Sequence, residues 1–131
     1  MTTIRTIVTN AMRDLNLVDA ATDPDAAEAA KHLAALNAMA LGWTADNIHT
    51  GWSTVTLTDD FPLEPKHEEG VTALLAKRIA GTRGMELTAH QTGMAELGFS
   101  RLCADYKALE TLRMDDGLRM PSQRLGPRLG W

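Results

Sequence analysis

The sequence is poor in cysteine, in aromatic residues, in long apolar runs and in net positive charge. Cys103 is the single cysteine among 131 residues, so an intramolecular disulfide is excluded. Aromatic residues make up only 5% of the chain, fewer than a two-sheet β-sandwich usually contains. No apolar run reaches the roughly 18 residues of a membrane span, so no membrane contact is expected. The net charge of -4 argues against sequence-independent binding to nucleic acid, which needs a basic surface.

The rest of the composition is that of a folded globular protein. Hydrophobic residues account for 44% and charged residues for 23%, which excludes wholesale disorder. A chain of this length predicts one domain and buries roughly two-thirds of the surface that its unfolded form exposes. We therefore expect a core that needs neither a disulfide nor a metal.

Apolar residues recur at spacings of three and four along most of the chain, which is the period of an amphipathic helix. The sequence predicts four helices: at 3–17, from 24 to between 42 and 47, at about 66–82, and at about 88–112. The fold class expected is therefore mainly α, with a four-helix bundle-like body over residues 1–112.

Several residues at the ends of these segments are typical of helix termini. Asp23 is the expected N-cap of the second helix, with Pro24 at its first position. Gly84 marks the end of the third helix, and Thr88 with Gln91 forms a capping-box pattern before the fourth. These signals predict where the chain enters and leaves each helix.

Two glycines lie inside the predicted fourth helix. Gly93 and Gly98 each weaken a helix by roughly 1 kcal/mol relative to alanine. Glycines at such positions usually indicate a close contact with a neighbouring helix, which we expect here.

Residues 48–65 have a different pattern. The stretch 51–58 is rich in Thr and Val and alternates with period two, which is typical of a strand. Asp59 and Asp60 form a turn signal, and the prolines that follow favour extended backbone. The sequence predicts a short extended arm or β-hairpin between the second and third helices.

The C-terminal segment, residues 113–131, has neither a helical nor a strand period and is punctuated by glycine and proline. Residues 117–131 carry three arginines and no acid, a charge of +3, whereas residues 1–116 carry -7. Arginine alternates there with large apolar residues, and arginine and tryptophan are frequent interface hot spots. We expect an extended arm that becomes ordered on a partner.

No residue pattern indicates catalysis, a metal site or a cofactor. The histidines at 32, 49, 67 and 90 lack the paired spacing of zinc ligands and are expected at the surface. Cys103 has no local activating partner and is expected to be a buried structural thiol. The acid pairs at 59–60 and 68–69 are expected in a turn and in the first turn of a helix. Trp43 is expected in the core and Trp52 to be partly exposed, and the chain is not expected to be an enzyme.

Three stretches resemble one family of structural proteins. They are the opening helix at 4–17, the segment 26–43 with its Leu36-Asn37-x-Met39-x-x-x-Trp43 element, and 61–80 with Phe61-Pro62-Leu63 leading into a helix. Together with the helix that follows, they span about residues 3–112. In these stretches the chain resembles the head-to-tail adaptor proteins of short-tailed bacteriophages, also called tail accessory or packaged-DNA stabilisation proteins.

The resemblance implies a head–tail connector subunit, made in the host cytoplasm and located at the head–tail interface of the virion. It implies a homo-oligomeric ring, a dodecamer, beneath the portal protein, which joins the capsid to a downstream tail or nozzle protein. The ring would help retain packaged DNA, which passes through its lumen without sequence-specific contact. An acidic body suits such a conduit, because a negative lumen repels phosphate.

In this family the C-terminal segment binds the portal. The resemblance therefore makes 113–131 a portal-binding arm. Within it, the residues expected to contact the portal are Arg119, Met120, Pro121, Arg124, Leu125, Arg128 and Trp131. The arginines would donate charge-assisted hydrogen bonds, and the apolar residues would fill clefts on the portal.

An alternative is a small helix-turn-helix DNA-binding regulatory protein, with the third and fourth helices as the motif. The fourth helix carries Arg101 and Lys107 against Glu96, Asp105 and Glu110, which is a poor surface for DNA.

Overall fold

The computed structural model describes residues 2–19 and 21–107. The prediction of a mainly helical body is confirmed for this part of the chain, which holds the helices α1 (Ile4–Asp14), α2 (Ala26–Gly42), α3 (Glu68–Arg83) and α4 (Ala89–Tyr106). Short 3-10 turns at Trp43–Asp46 and Pro65–His67 follow α2 and precede α3. Helix α4 ends at Tyr106, with Lys107 as its C-cap, about six residues before the predicted end at 112. Residues 108–131, which include the arm predicted at 113–131, lie outside the described residues.

Helix α3 is the centre of the body, because it packs against α1, α2 and α4. Its buried side chains form one core with the inward faces of the other helices. The fully buried members include Ile4, Ile7, Met12, Leu36, Leu75, Ile79 and Leu102. Each side chain of this size stabilises the fold by about 1.5–3 kcal/mol when it leaves water.

The helix ends follow local chemistry, but α1 ends at Asp14, three residues before the predicted end at 17, and the start of α2 is also shifted. The capping box of Thr88 and Gln91 is confirmed, and Gly84 ends α3 in the left-handed conformation with φ +69°. The N-cap of α2 is Asp25 instead of Asp23: its carboxylate accepts the backbone N–H of Glu28 at 2.8 Å. Helix α2 consequently begins two residues later than predicted, and Pro24 lies before the cap.

The β-hairpin expected between the second and third helices is not found. Within 2–19 and 21–107 there is no strand, only an isolated antiparallel bridge between Thr3 and Asp60. Residues 48–63, the α2–α3 loop, lie on the body instead. The loop turns its apolar side chains into the core: Ile48, Trp52, Val55, Phe61 and Leu63.

The backbone of this loop forms hydrogen bonds with the start of α1. These bonds take the place of those that a second strand of a hairpin would make. The loop carbonyls at Asp59 and Leu57 accept the N–H groups of Ile4 and Arg5 at 2.9 and 3.0 Å. These N–H groups belong to the first turn of α1 and have no partner within their own helix. The loop therefore supplies the hydrogen-bond acceptors that the start of α1 requires.

The two glycines of α4 have different surroundings. Gly98 lies against Gly70 of α3 so closely that a Cβ added to Gly98 would be 2.5 Å from the Gly70 Cα. A Cβ added to Gly93 would meet nothing within 4 Å. The expected close helix–helix contact is confirmed at Gly98 and wrong at Gly93.

The tryptophans and histidines match their predicted burial only in part. Trp43 is in the core as predicted, whereas Trp52, at 7% exposure, is buried and not partly exposed. His49 and His90 are exposed as expected. His32 and His67 are each only 2% exposed, so the prediction of surface histidines is wrong for them. Cys103 is half-buried.

Candidate functional site

All seven residues predicted to contact a portal lie beyond Lys107, outside the described residues. The described residues contain three features that bear on function. These are the last turn of α4, the surface grooves of the body, and the contacts that hold the α2–α3 loop.

The last turn of α4 is attached to the start of α3 by a charged cluster. One carboxylate oxygen of Asp105, Oδ2, lies 2.7 Å from His67 Nε2 and 2.9 Å from Lys66 Nζ. The Tyr106 ring is tilted on the His67 imidazole with centroids 5.6 Å apart, and the Tyr106 carbonyl accepts the His49 N–H. These contacts fix the end of α4, so the C-terminal segment starts from a defined place.

The contacts between Asp105 and Lys66 favour the charged forms of both side chains. The hydrogen bond from Lys66, followed by that from His67, holds the pKa of Asp105 below its usual value. The same bond to Asp105 raises the pKa of Lys66. Both side chains are partly in solvent, so each ion pair adds only modest stability. The buried, hydrogen-bonded His67 is the more specific part of the attachment.

Asn37 holds the α2–α3 loop on α2. Its Oδ1 accepts hydrogen bonds from the Trp52 indole at 3.2 Å and the Val55 N–H at 3.1 Å, and its Nδ2 donates to the Val55 carbonyl at 3.0 Å. The Trp52 ring then packs edge-on against Trp43 and Phe61, with centroids 6.1 and 6.2 Å away. The Leu36-Asn37-x-Met39-x-x-x-Trp43 element, which spans the end of α2 and the first residue of the 3-10 turn, therefore positions the loop through Asn37 and Trp43.

A second buried histidine lies between α2 and α3. Glu28 Oε2 accepts from the Arg83 guanidinium at 2.6 Å and lies 3.3 Å from His32 Nε2. That nitrogen is not in hydrogen-bond geometry with the carboxylate and has no partner among the described residues. Burial lowers the pKa of His32, against the opposing effect of Glu28; Arg83 and Lys31 lower it further.

We predict that acid destabilises this protein partly through His32. Because its pKa is lowered in the folded state, the unfolded chain binds the proton first as pH falls below about 6.5. The stability contributed by neutral His32 is therefore present at pH 7.5 and is lost on acidification. Urea unfolding at pH 7.5 and 5.5 should show a smaller loss for His32→Leu than for wild type. His90→Gln, at an exposed position, is the control; a loss in His32→Leu as large as in the control contradicts the prediction.

Two surface grooves lie on either side of α3. The first, of about 680 Å³, runs between α1, α3 and α4; we call it the acidic groove, lined by Thr6, Asn10, Asp14, Glu68, Glu69, His90 and Gln91 with smaller and apolar neighbours. The second, of about 740 Å³, we call the apolar groove; its floor is Met39, Trp43, Leu74, Ala95 and Phe99. Both are open to solvent and large enough for a peptide segment.

Within residues 2–19 and 21–107, no three His, Cys, Asp or Glu side chains group as metal ligands. None of the helices in that part is both long and apolar enough to cross a bilayer.

Sequence reasoning missed the buried His67 with its hydrogen bond to Asp105, the buried His32 beside Glu28, and the role of Asn37. Glu28 and His32 are four residues apart on one helix, a spacing that the sequence does show. His67 and Asp105 are 38 residues apart, so no local sequence pattern predicts their contact.

Comparison with known proteins assigns no family. The chain matches no protein-family model, and no curated protein matches it. Function is therefore inferred from the resemblance in sequence and from the geometry of the body.

Proposed function

We propose that this protein is a structural virion protein, a head–tail adaptor subunit that forms a ring beneath the portal. In this proposal it joins the portal to a downstream tail protein and helps retain packaged DNA, and it performs no covalent chemistry. The basic C-terminal arm is the portal-binding element, through Arg119, Met120, Pro121, Arg124, Leu125, Arg128 and Trp131.

The observation that carries the proposal is the join between body and arm. Asp105 and Tyr106 are held to the start of α3 and to the α2–α3 loop, so the last described turn is fixed. The chain beyond it changes from acidic to basic and alternates arginine with apolar residues. A rigid body that ends in an arm of this composition suits a subunit that reaches a neighbouring ring.

The body also has surfaces suited to lateral assembly. The apolar groove leaves Met39, Leu74 and Phe99 only partly covered. Leu41 and Leu97, 45% and 43% exposed, lie on the outer faces of α2 and α4. A ring requires two different complementary surfaces on each subunit, and these features supply candidates for both.

Removing residues 117–131 should abolish portal binding and leave the body folded. Because several arginine and tryptophan contacts are lost together, we expect the affinity for purified portal to fall more than about 100-fold. Light scattering of portal–adaptor mixtures measures binding, and circular dichroism with thermal unfolding measures the fold.

Substitutions in the full-length chain separate the contribution of the arginine charges from the effect of shortening the chain. Arg119→Gln/Arg124→Gln/Arg128→Gln in the full chain should weaken binding strongly, whereas Ser122→Ala/Gln123→Ala should not. Unchanged portal affinity in the truncated protein, with its helical spectrum intact, would show that the arm is not the portal-binding element.

A further inference from the structure

The acidic groove presents three carboxylates and no lysine or arginine. Asp14 comes from the end of α1, and Glu68 and Glu69 come from the first turn of α3. Helix α4 closes the other side with His90, Gln91 and Met94. The groove is thus negative at both ends and mixes polar with apolar walls.

These carboxylates lack cationic partners in the described part of the chain. None of Asp14, Glu68 and Glu69 has a basic nitrogen within 4.0 Å there, and the Glu68 carboxylate accepts only the Thr2 hydroxyl, at 2.9 Å. Burial against the groove wall raises the pKa of Asp14, the direction expected for a carboxylate that loses water without gaining a cation. A positively charged occupant would relieve this cost at Asp14 and could pair with Glu68 or Glu69 at the same time.

Beyond Lys107, one segment has the complementary charge. Residues 117–131 carry Arg119, Arg124 and Arg128 and no acid. The large apolar residues between these arginines suit the apolar part of the groove wall, which includes Ile7, Ala73 and Met94. Two other stretches carry arginine without acid, residues 1–13 and 70–85, but they belong largely to α1 and α3, the helices that build the groove.

The segment also starts close to the groove. Asp105, two residues before the end of the described chain, contacts Lys66, whose neighbour Pro65 lines one end of the groove. The nine residues 108–116 between them span at most about 30 Å, ample to bring residue 117 to that end. From Glu68 to Ala76 the groove follows α3 for about 12 Å, a length that Arg119 and Arg124, about 17 Å apart when extended, can bracket.

We propose that the acidic groove binds the basic C-terminal segment, residues 117–131, of the same chain. Arg119 and Arg124 pair with Glu68 or Glu69 at one end and with Asp14 at the other. Docking gives the segment a place on its own body before any partner takes it. The groove and the segment both belong to this chain, so the inference does not depend on the proposed portal function.

Limited trypsin digestion of the full chain tests the proposal, because trypsin cuts after Arg119 and Arg124. Asp14→Asn/Glu68→Gln/Glu69→Gln should raise the cleavage rate at these bonds by about tenfold, the loss expected from two or three partly exposed ion pairs. Asp46→Asn/Glu96→Gln, in the apolar groove, is the matched control and should leave the rate unchanged. A free peptide of residues 113–131 supplies the rate of an undocked segment.

The possible results are distinct. Equal rates in wild type, the triple variant and the free peptide overturn the proposal. Protection that grows with protein concentration places the segment in a second copy and overturns docking within one chain. Trypsin cleavage of the triple variant at Arg78 or Arg101 would indicate that its body has unfolded. In that case the single variant Glu69→Gln, at an exposed position, repeats the test. The assay contains no portal, so its outcome leaves the portal-binding proposal to be judged by its own experiment.

Discussion

Gly98→Ala should lower the free energy of unfolding by about 2 kcal/mol, although alanine is the better helix former. The added Cβ would lie 2.5 Å from the Gly70 Cα, 2.9 Å from its carbonyl oxygen and 3.0 Å from its carbonyl carbon. All three are backbone atoms, so no side chain can turn away to make room. Helices α3 and α4 would have to separate, which loosens the packing of Leu75 and Leu102 in the core.

The same helix provides the control. At Gly93 an added Cβ meets nothing within 4 Å, so Gly93→Ala should raise stability by about 0.5–1 kcal/mol through helix propensity alone. The reciprocal pair on α3 repeats the contrast, since Gly70 faces Gly98 and Gly81 faces open space. Urea unfolding followed by circular dichroism measures all four variants. If Gly98→Ala is as stable as wild type, the helices do not cross at these two glycines.

Asn37→Ala should destabilise the protein by about 3 kcal/mol, because it leaves the buried Trp52 indole and the Val55 backbone without their partners. The effect extends beyond the lost bonds. The α2–α3 loop contributes five buried apolar side chains and caps the start of α1, so its release loosens two helices.

Asn10→Ala, at an exposed position of α1, is the matched control and should change stability little. Asn37→Asp should fall between alanine and wild type, since it keeps the acceptor for Trp52 and loses the donor to Val55. Urea unfolding measures the cost, and hydrogen exchange at Ile4 and Arg5 measures the capping of α1. A cost for Asn37→Ala no larger than that for Asn10→Ala would mean that Asn37 does not hold the loop.

Features that depend on neighbouring residues were readable from the sequence. The four helices follow from apolar spacing, and the capping box of Thr88 and Gln91 involves groups only three residues apart. The N-cap of α2 was predicted at Asp23 and is Asp25 in the structure. The two aspartates flank Pro24 and both have side chains that can cap a helix, so sequence alone does not distinguish them. Only Asp25 has its carboxylate over the N–H of Glu28.

The structure of the α2–α3 loop could not be predicted from the sequence pattern alone. Alternation in residues 51–58 says that side chains point to opposite sides of an extended chain. It does not say what accepts or donates the backbone hydrogen bonds. Here those partners are Asn37 and the first turn of α1, so the alternating segment is a loop and not a hairpin.

By itself, the sequence determined the helical class, the capping box of α4, the glycine that ends α3, and the contrast between an acidic body and a basic C-terminal segment. Tertiary structure alone decided which of two glycines touches a neighbouring helix, which histidines are buried, and that three separate carboxylates share one groove. The reason is physical. Helix formation and capping act over three or four residues, whereas Gly70 meets Gly98, and His67 meets Asp105, only after the intervening chain has folded.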